Sequence, residues 1–600
     1  MANETKTVNI VRKHFEKYND IIIEEQQSDR PKINKLLKNA SKKGNMNGRP
    51  EFIITYKNNP DLLIVVECKA DIRKHESKTR GKFAEYAVDG VLLYSSFLSK
   101  EFDVLAIAVS GETLKELKVS HFLNLKGDYR PAVEKFANKL LDADSYLQGY
   151  IQSPEKFKQD YDKLLSFSKE LNETLHSEKV KESQRSLLIS GVLIALENAA
   201  FKKSYKLHTK PDDLANALVN TITDELKTAN LTGVKLENLK SAYSYIKIHS
   251  TLSVQIGVLS SIIDSIDRNI NSFIKTHKYR DVLGQFYIEF LRYANNDKGL
   301  GIVLTPPHIT ELFSELAKVN KDDIIYDNCA GTGGFLISAM KLMIADAKGD
   351  KDKEKSIKQY QLHGVEFQDD IFALACSNMF IHQDGKNNII NGDCFDNKSI
   401  DQMQSQKPTV GFLNPPYPKL PPDHLELEFV LNNLEVLTKN ATCIAIVPIS
   451  CVLAIKGKDF ELKKKILESH TLEAVLSMPE QLFYNSNVGV VTAILIITAH
   501  RPHPPGKKTW FGYFRNDGFT IQKHKGRGDW NNHWQDKKDK WLKSYHSRDI
   551  VNGLSVAHEV AANQEWCAEA FMNTNYANLT SSDFIKELKK YAAFSISISE

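Results

Sequence analysis

The sequence predicts an α/β fold around a mainly parallel sheet, on three observations. Four short apolar runs, over residues 322–327, 361–366, 388–393 and 408–414, each stop at a polar residue: Asp327, Glu366, Asp393 and Asn414. Such runs, separated by helical patterns, read as buried parallel strands joined by crossover helices. Glycines 331, 333 and 334 make a turn where the backbone can bend sharply and approach a ligand before a helical pattern over 335–340 begins. Pro415 and Pro416 end the last run abruptly and leave Asn414 at a strand's carboxyl end, the edge where open α/β sheets bind ligands.

Length and composition bound the remainder. Six hundred residues exceed a single core, so roughly two to four domains are expected. With 42% hydrophobic and 26% charged residues, the chain is of the soluble globular class. A formal net charge of +4 is near neutral, so any nucleic-acid contact has to come from local patches. Seven cysteines, at 68, 329, 376, 394, 443, 451 and 567, lack paired metal-ligand spacing, which predicts a reducing, cytoplasmic setting and no structural zinc. The amino terminus is charged from Glu4 onward, without an apolar signal core. The longest apolar stretch, over 187–201, is broken by Ser190, Gly191, Glu197 and Asn198. It is shorter than the roughly 20 residues that span a membrane and predicts a buried helix, so no membrane association is expected.

From the start of the chain, residues 3–23 pattern as a helix with Val8, Val11, Phe15 and Tyr18 on one face. Glu24 and Glu25 follow, then a basic loop with Lys32, Lys35, Lys38, Lys42, Lys43 and Arg49. Two strands come next, over 49–56 and 62–69; the second is strongly apolar and ends in Glu67-Cys68-Lys69. Glu51 on one strand and Glu67 on its neighbour can set two acids around a divalent cation, with Lys69 beside an attacking water. Mg2+ suits that arrangement, since it takes few carboxylates together with waters and phosphate oxygens. A hairpin with solvated charges at its ends is the plainer alternative. Pro50-Glu51, Glu67-Cys68-Lys69 and the tract Lys82-Phe83-Ala84-Glu85-Tyr86-Ala87, read as the following helix, resemble the PD-(D/E)xK nucleases, with Glu51 where Asp is usual. The resemblance implies an α/β nuclease-like domain over residues 1–130, Glu51 and Glu67 as ligands of Mg2+, and Lys69 as the third catalytic group. Glu25 is either an accessory metal-site acid or a surface charge.

Helical periodicity dominates residues 131–279 and predicts a helical domain able to pack on a partner or on DNA. A further helix is expected over 284–293. Thr305-Pro306-Pro307-His308 then reads as a helix start capped by Thr305. Beyond the glycine turn, Glu366 can accept from ribose hydroxyls and Asp393 can meet an adenine amino group. The side-chain carbonyl of Asn414 and the proline-fixed backbone carbonyl beside it converge on one point, which suits an exocyclic NH2. Tyr417 adds a flat ring on which a flipped base can stack.

Three acid-tipped strands followed by Asn414-Pro415-Pro416-Tyr417 resemble the amino-group methyltransferases, above all those that make N6-methyladenine in DNA. The resemblance implies a Rossmann-like domain over 280–515 that binds S-adenosylmethionine. Asp327, Ala330, Gly331, Thr332 and Gly333 would hold its methionine part, lined by Thr305 and Pro306, while Glu366 meets its ribose and Asp393 its adenine. Asn414 borders both cofactor and target, and Pro415 and Tyr417 complete the catalytic set; Phe483-Tyr484 resembles the aromatic position that flanks the flipped base.

The charged tract over 346–358 reads as a solvated insertion, and later strands are expected over 441–447, 471–478 and 488–497. Residues 516–600 are expected as a basic and aromatic C-terminal region with a helical tail; its basic residues interleaved with aromatics can contact phosphates and bases, with at least three of the five tryptophans expected as core anchors. No phosphate loop of a translocating motor is present, and about 80 residues after the sheet are too few for a full target-recognition domain. Nuclease and methyltransferase without motor or reader resemble the catalytic subunit of BcgI-like type IIB restriction-modification enzymes. That implies double-stranded DNA as substrate and a hetero-oligomer with a separate specificity subunit. The alternatives are a modification-only enzyme with an inactive nuclease-like front, a methyltransferase acting on RNA or glutamine, and a non-catalytic DNA-binding scaffold.

Overall fold

A computed structural model of the chain describes residues 4–41, 47–128, 132–151, 153–228, 233–277, 284, 303–382, 388–417, 424–486, 488–522, 526–573 and 580–598. The helix expected over 284–293 falls, Gly284 apart, outside these, as do Lys42 and Lys43. The chain divides into two compact units, residues 1–164 and 165–600.

In the first unit a six-stranded sheet runs β1 (Ile21–Glu24), β2 (Phe52–Tyr56), β3 (Asn59–Lys69), β4 (Asp103–Ser110), β5 (Lys118–Asn124) and β6 (Val133–Lys135). Only the β3–β4 pair is parallel, and the helix Ala87–Leu98 crosses over between those strands. The pleat of β3 sends Ile64, Val66 and Cys68 to a face covered by the helices Glu4–Phe15 and Ala143–Ile151. Leu63 and Val65 point to the opposite face, under Ala87–Leu98. The tract over 82–86, expected as helix, instead forms turns, and the helix starts at Ala87.

The second unit opens on helices. Glu182–Glu197 is buried from Arg185 to Leu196, and Asn198 ends it by capping the next helix, accepting from the amides of Ala200 and Phe201. No helix among the described residues is long and apolar enough to cross a membrane. The unit's nine-stranded sheet is built from β7 (Ile325–Asp327), β8 (Leu362–Glu366), β9 (Ile389–Asn391), β10 (Val410–Leu413), β11 (Thr442–Pro448), β12 (Thr471–Ser477), β13 (Thr492–Thr498), β14 (Lys508–Tyr513) and β17 (Ser555–Glu559). A separate hairpin pairs β15 (Thr520–Gln522) with β16 (Gly526–Gly528). The spatial order in the large sheet is β17-β14-β12-β13-β11-β10-β7-β8-β9.

Strands β9, β8, β7, β10 and β11 are parallel, while β13 runs antiparallel to both β11 and β12. Strand order reverses between β7 and β10, so their carboxyl ends flank the crevice of a doubly wound sheet. The charged tract expected as an insertion contains the helix Lys351–Tyr360, anchored by buried Ile357. Trp510, Trp541 and Trp566 are buried, and Trp541 stacks on Phe514 at 4.3 Å, so these three anchor the core.

Candidate functional site

Strand β10 is buried along its length, and its Phe412 packs against Phe313 and Phe335 at 5.7 Å each. Gly411 has no room for a side chain: a Cβ there would lie 2.0 Å from Asn433 Oδ1. The strand so fixed delivers Asn414 to the crevice. Asn414 Nδ2 donates to the Val303 carbonyl at 2.9 Å and to Thr305 Oγ1 at 3.0 Å. A backbone carbonyl can only accept, so these bonds set which end of the amide is nitrogen. Oδ1 therefore faces the other way, buried and with no hydrogen-bond partner among the described residues. Leaving such a carbonyl unpaired costs about 1–3 kcal/mol, which a donor on a ligand would relieve.

The remaining acceptor-side residues are placed around it. Pro415 is buried and Pro416 exposed. The Tyr417 hydroxyl donates to the Ile446 carbonyl at 3.2 Å, and its ring meets Phe483 edge to face at 6.0 Å. Tyr417 is thus a buried wall with its rim fixed, while Tyr484 is 46% exposed. Thr305 does not cap the helix Pro307–Leu316; the cap position falls to Pro306, whose ring has no acceptor to offer, and the Thr305 hydroxyl accepts from Asn414 instead.

Asp327 ends β7 fully buried. Its Oδ1 accepts from the Cys329 amide at 3.0 Å, and Oδ2 has no partner among the described residues. Burial, with a further push from Glu366, raises its carboxyl to about 8 against the pull of the Cys329 amide. Gly331 and Gly333 take φ of +53° and +83°, left-handed values that glycine adopts without strain. This curls the loop so that Gly331 N donates to Glu366 Oε2 at 2.9 Å and Ala330 N to the Val365 carbonyl at 2.9 Å. Buried Thr332 presents its carbonyl to Asn378 Nδ2 at 3.0 Å. Glu366 also accepts from Gln368 N at 2.8 Å, and burial raises its carboxyl.

Asp393 lies two residues beyond β9 instead of on it, exposed, with Oδ1 accepting from Phe395 N at 2.9 Å. Phe367 was not singled out from the sequence. It follows Glu366 directly and is 73% exposed, a flat apolar face beside the crevice; an aromatic just past an acid-tipped strand was the available signal.

A second cluster lies in the first unit. β2 and β3 pair Phe52 with Val66, and continuing that register by one residue sets Glu51 opposite Glu67. Carboxylate oxygens of Glu51, Glu67 and Glu4 lie within 4.8 Å of one another. Lys69 Nζ donates to Glu4 Oε1 at 2.6 Å and to Glu67 Oε1 at 3.1 Å. Burial pulls the Lys69 ammonium down, but Glu67 and Glu4 outweigh it and hold it above its ordinary value. Three carboxylates meeting at one point, one of them fully buried, can hold a divalent cation beside Lys69. Glu4 carried no sequence signal, being one acid on a helix surface. Glu25 stands apart from the cluster: Arg12 forks onto its carboxylate at 2.7 and 3.0 Å and lowers it.

The family model for N-6 DNA Methylase matches residues 278–596, more than half of the chain. The chain is 30% identical to the type II restriction enzyme and methyltransferase RM.BcgI of Heyndrickxia coagulans, over 99% of this chain and 97% of that one. It is 28% identical to the type I restriction enzyme MpnII methylase subunit of Mycoplasma pneumoniae, over 50% of this chain and 60% of that one. A solved chain from a type I R-M system shares the fold, with a TM-score of 0.51 at 17% identity over 72% of this chain and 96% of that one. The chain therefore belongs to the N-6 DNA methylase family and is a relative of RM.BcgI along almost its whole length.

Proposed function

We propose that the chain methylates adenine N6 in double-stranded DNA and cuts unmodified DNA with Mg2+, working in a hetero-oligomer with a separate specificity subunit. The observation that carries the first part is the buried Asn414 Oδ1, aimed away from Thr305 and left without a donor at the sheet's switch point. With adenine flipped into the crevice, Asn414 Oδ1 and the Pro415 carbonyl accept the two N6 hydrogens. That draws the nitrogen lone pair out of ring conjugation and aims it, so alignment and electrostatics supply most of the catalysis. Tyr417 and Phe483 wall the base pocket.

On the cofactor side Asp327 Oδ2 would take the ammonium group of S-adenosylmethionine and the loop at 330–333 its methionine backbone. Thr305 and Pro306 line that end. Glu366 would accept from the ribose, Phe367 cover the adenine face and Asp393 meet the adenine amino group. When bound, S-adenosylmethionine supplies an electrophilic methyl group on sulfur.

The cleavage part is supported by the three carboxylates around Lys69 and by the name of RM.BcgI, which joins both activities. Glu51 and Glu67, with Glu4, would hold Mg2+, which supplies an activated water and charge stabilisation at the phosphate. Lys69 would steady that water. The proposed division is a nuclease-like front, a helical region, the methyltransferase sheet and a C-terminal region.

The test takes the chain purified with whatever co-purifies, unmethylated plasmid, Mg2+ and S-adenosylmethionine. Discrete fragments that vanish in Lys69→Ala, with N6-methyladenine retained, are expected. Intact plasmid carrying N6-methyladenine would leave a modification enzyme whose front domain does not cut.

A further inference from the structure

We infer that Arg527 and Asp517 are positioning residues for methyl transfer: from the C-terminal region they lock the segment 303–305, which aims Asn414, to the opposite wall at 483–486. This rests on the methyl-transfer reading above and names the device that holds its pocket in shape.

Asn414 is oriented by Val303 and Thr305, so its aim is only as good as the placement of that short segment. The segment runs into the helix Pro307–Leu316, whose second residue, His308, is buried. The His308 ring stacks on Phe519 at 4.0 Å and meets Trp534 edge-on at 4.9 Å. Its Nε2 lies 3.3 Å from Asp517 Oδ2. Arg527 grips the same carboxylate, donating to both oxygens at 2.7 Å, and its guanidinium lies 5.1 Å from the Phe519 ring centre. At the other end of the helix, Lys538 Nζ donates to Glu315 Oε1 at 2.7 Å.

Arg527 also reaches the opposite wall. Its amide donates to Asn485 Oδ1 at 2.9 Å, and its carbonyl accepts from Asn485 Nδ2 at 2.9 Å. Asn485 sits between Phe483, which packs on Tyr417, and Ser486, whose hydroxyl donates to the Leu304 carbonyl at 3.5 Å. The chain of contacts therefore closes on itself: Thr305 to His308, Asp517, Arg527, Asn485, Ser486 and back to Leu304. The Arg527 and Asp517 side chains are 6% and 2% exposed. A buried ion pair adds little net stability, since desolvation offsets the attraction. What the contact does supply, with both Asp517 oxygens held on Arg527 Nη2, is a charge-assisted link between two backbones. Sequence alone gives the opposite impression, because Arg527 falls in a basic tract that reads as a nucleic-acid contact.

The test measures methyl transfer by the full complex carrying Asp517→Asn, Arg527→Lys or Asn485→Ala. The last leaves no buried charge unpaired and covers the case in which the first two do not fold. A fall of about tenfold or more in kcat is expected, with the S-adenosylmethionine Kd, measured by calorimetry, within about threefold of the original. Asn485→Ala combined with Thr305→Val should lose far less than the product of the single losses, because both act through the aim of one carbonyl. Multiplicative losses, an unchanged kcat, or a kcat loss matched by lost cofactor binding would overturn the inference. If the unaltered complex makes no N6-methyladenine, or Asn414→Ala still makes it, the methyl-transfer reading itself fails and this inference falls with it.

Discussion

Asn414 Nδ2 and Thr305 Oγ1 lie 3.0 Å apart across 109 residues of chain, and this bond helps decide which end of the Asn414 amide faces the pocket. Thr305→Val keeps the shape of the side chain and removes the acceptor. One hydrogen bond to a buried group is worth roughly 1–1.5 kcal/mol, so kcat for methyl transfer should fall about tenfold. Initial-rate assays with labelled cofactor check this; an unchanged kcat would mean that Val303 alone sets the amide.

If Asp327 takes the cofactor's ammonium group as proposed, cofactor binding depends on pH. Its folded carboxyl titrates at about 8, well above an ordinary carboxylate, because it is buried and faces Glu366. A group raised in this way contributes stability below its unfolded value, near 4, that is lost as pH rises through about 8. An ammonium ligand needs the carboxylate, so binding releases a proton below that value. S-adenosylmethionine affinity should rise with pH towards a maximum near 8 and fall beyond it as the ligand's own α-ammonium, of ordinary value about 8, loses its proton, and Asp327→Asn should remove the rising limb. Calorimetry in two buffers of different ionisation enthalpy reads the proton; a pH-independent affinity without release contradicts the assignment.

In the methyltransferase half, three strand ends were legible because a polar residue closes each apolar run. Asp327, Glu366 and Asn414 are polar residues that stop a buried strand, and glycine and proline mark the turns after them. The pairings between distant segments were not legible. Nothing local tells that the Thr305 hydroxyl answers Asn414 and does not cap its own helix, or that Arg527 is buried on Asp517. Glu25, not Glu4, stood out in sequence as a candidate metal-site acid, yet Glu4 joins the carboxylate cluster, while Arg12, one helix turn from the buried Phe15, claims Glu25. The antiparallel entry of β13 between β11 and β12 likewise has no local signal, since its apolar run would suit either direction.

Glu4 should matter to cleavage and not to methylation. Glu4→Gln removes one negative oxygen beside Lys69 and is expected to raise the Mg2+ concentration needed for half-maximal cutting by about tenfold, consistent with the loss of one ligand charge. Glu67→Gln should abolish cutting. Equal Mg2+ titrations for Glu4→Gln and the unaltered chain would remove Glu4 from the site.

Gly411→Ala should destabilise the methyltransferase sheet. The added Cβ would lie 2.0 Å from Asn433 Oδ1 and 2.9 Å from Leu437 Cδ1. Asn433 cannot easily yield, because its Nδ2 donates to Asn328 Oδ1 at 3.1 Å in a buried amide network. Overpacking of this kind costs about 1–3 kcal/mol, read as a lower midpoint in urea unfolding. A midpoint equal to that of the unaltered chain would show that Asn433 has room to move.

The most direct measurement is nucleoside mass spectrometry of DNA incubated with S-adenosylmethionine and the co-purified complex carrying no substitution, Lys69→Ala or Asn414→Ala. N6-methyladenine is expected with the first two and absent with Asn414→Ala, since the proposed mechanism gives the unpaired Asn414 Oδ1 the role of holding the amino group. N6-methyladenine from the Asn414→Ala complex, or methyl label found in RNA or protein and not in DNA, would contradict the assignment of this crevice.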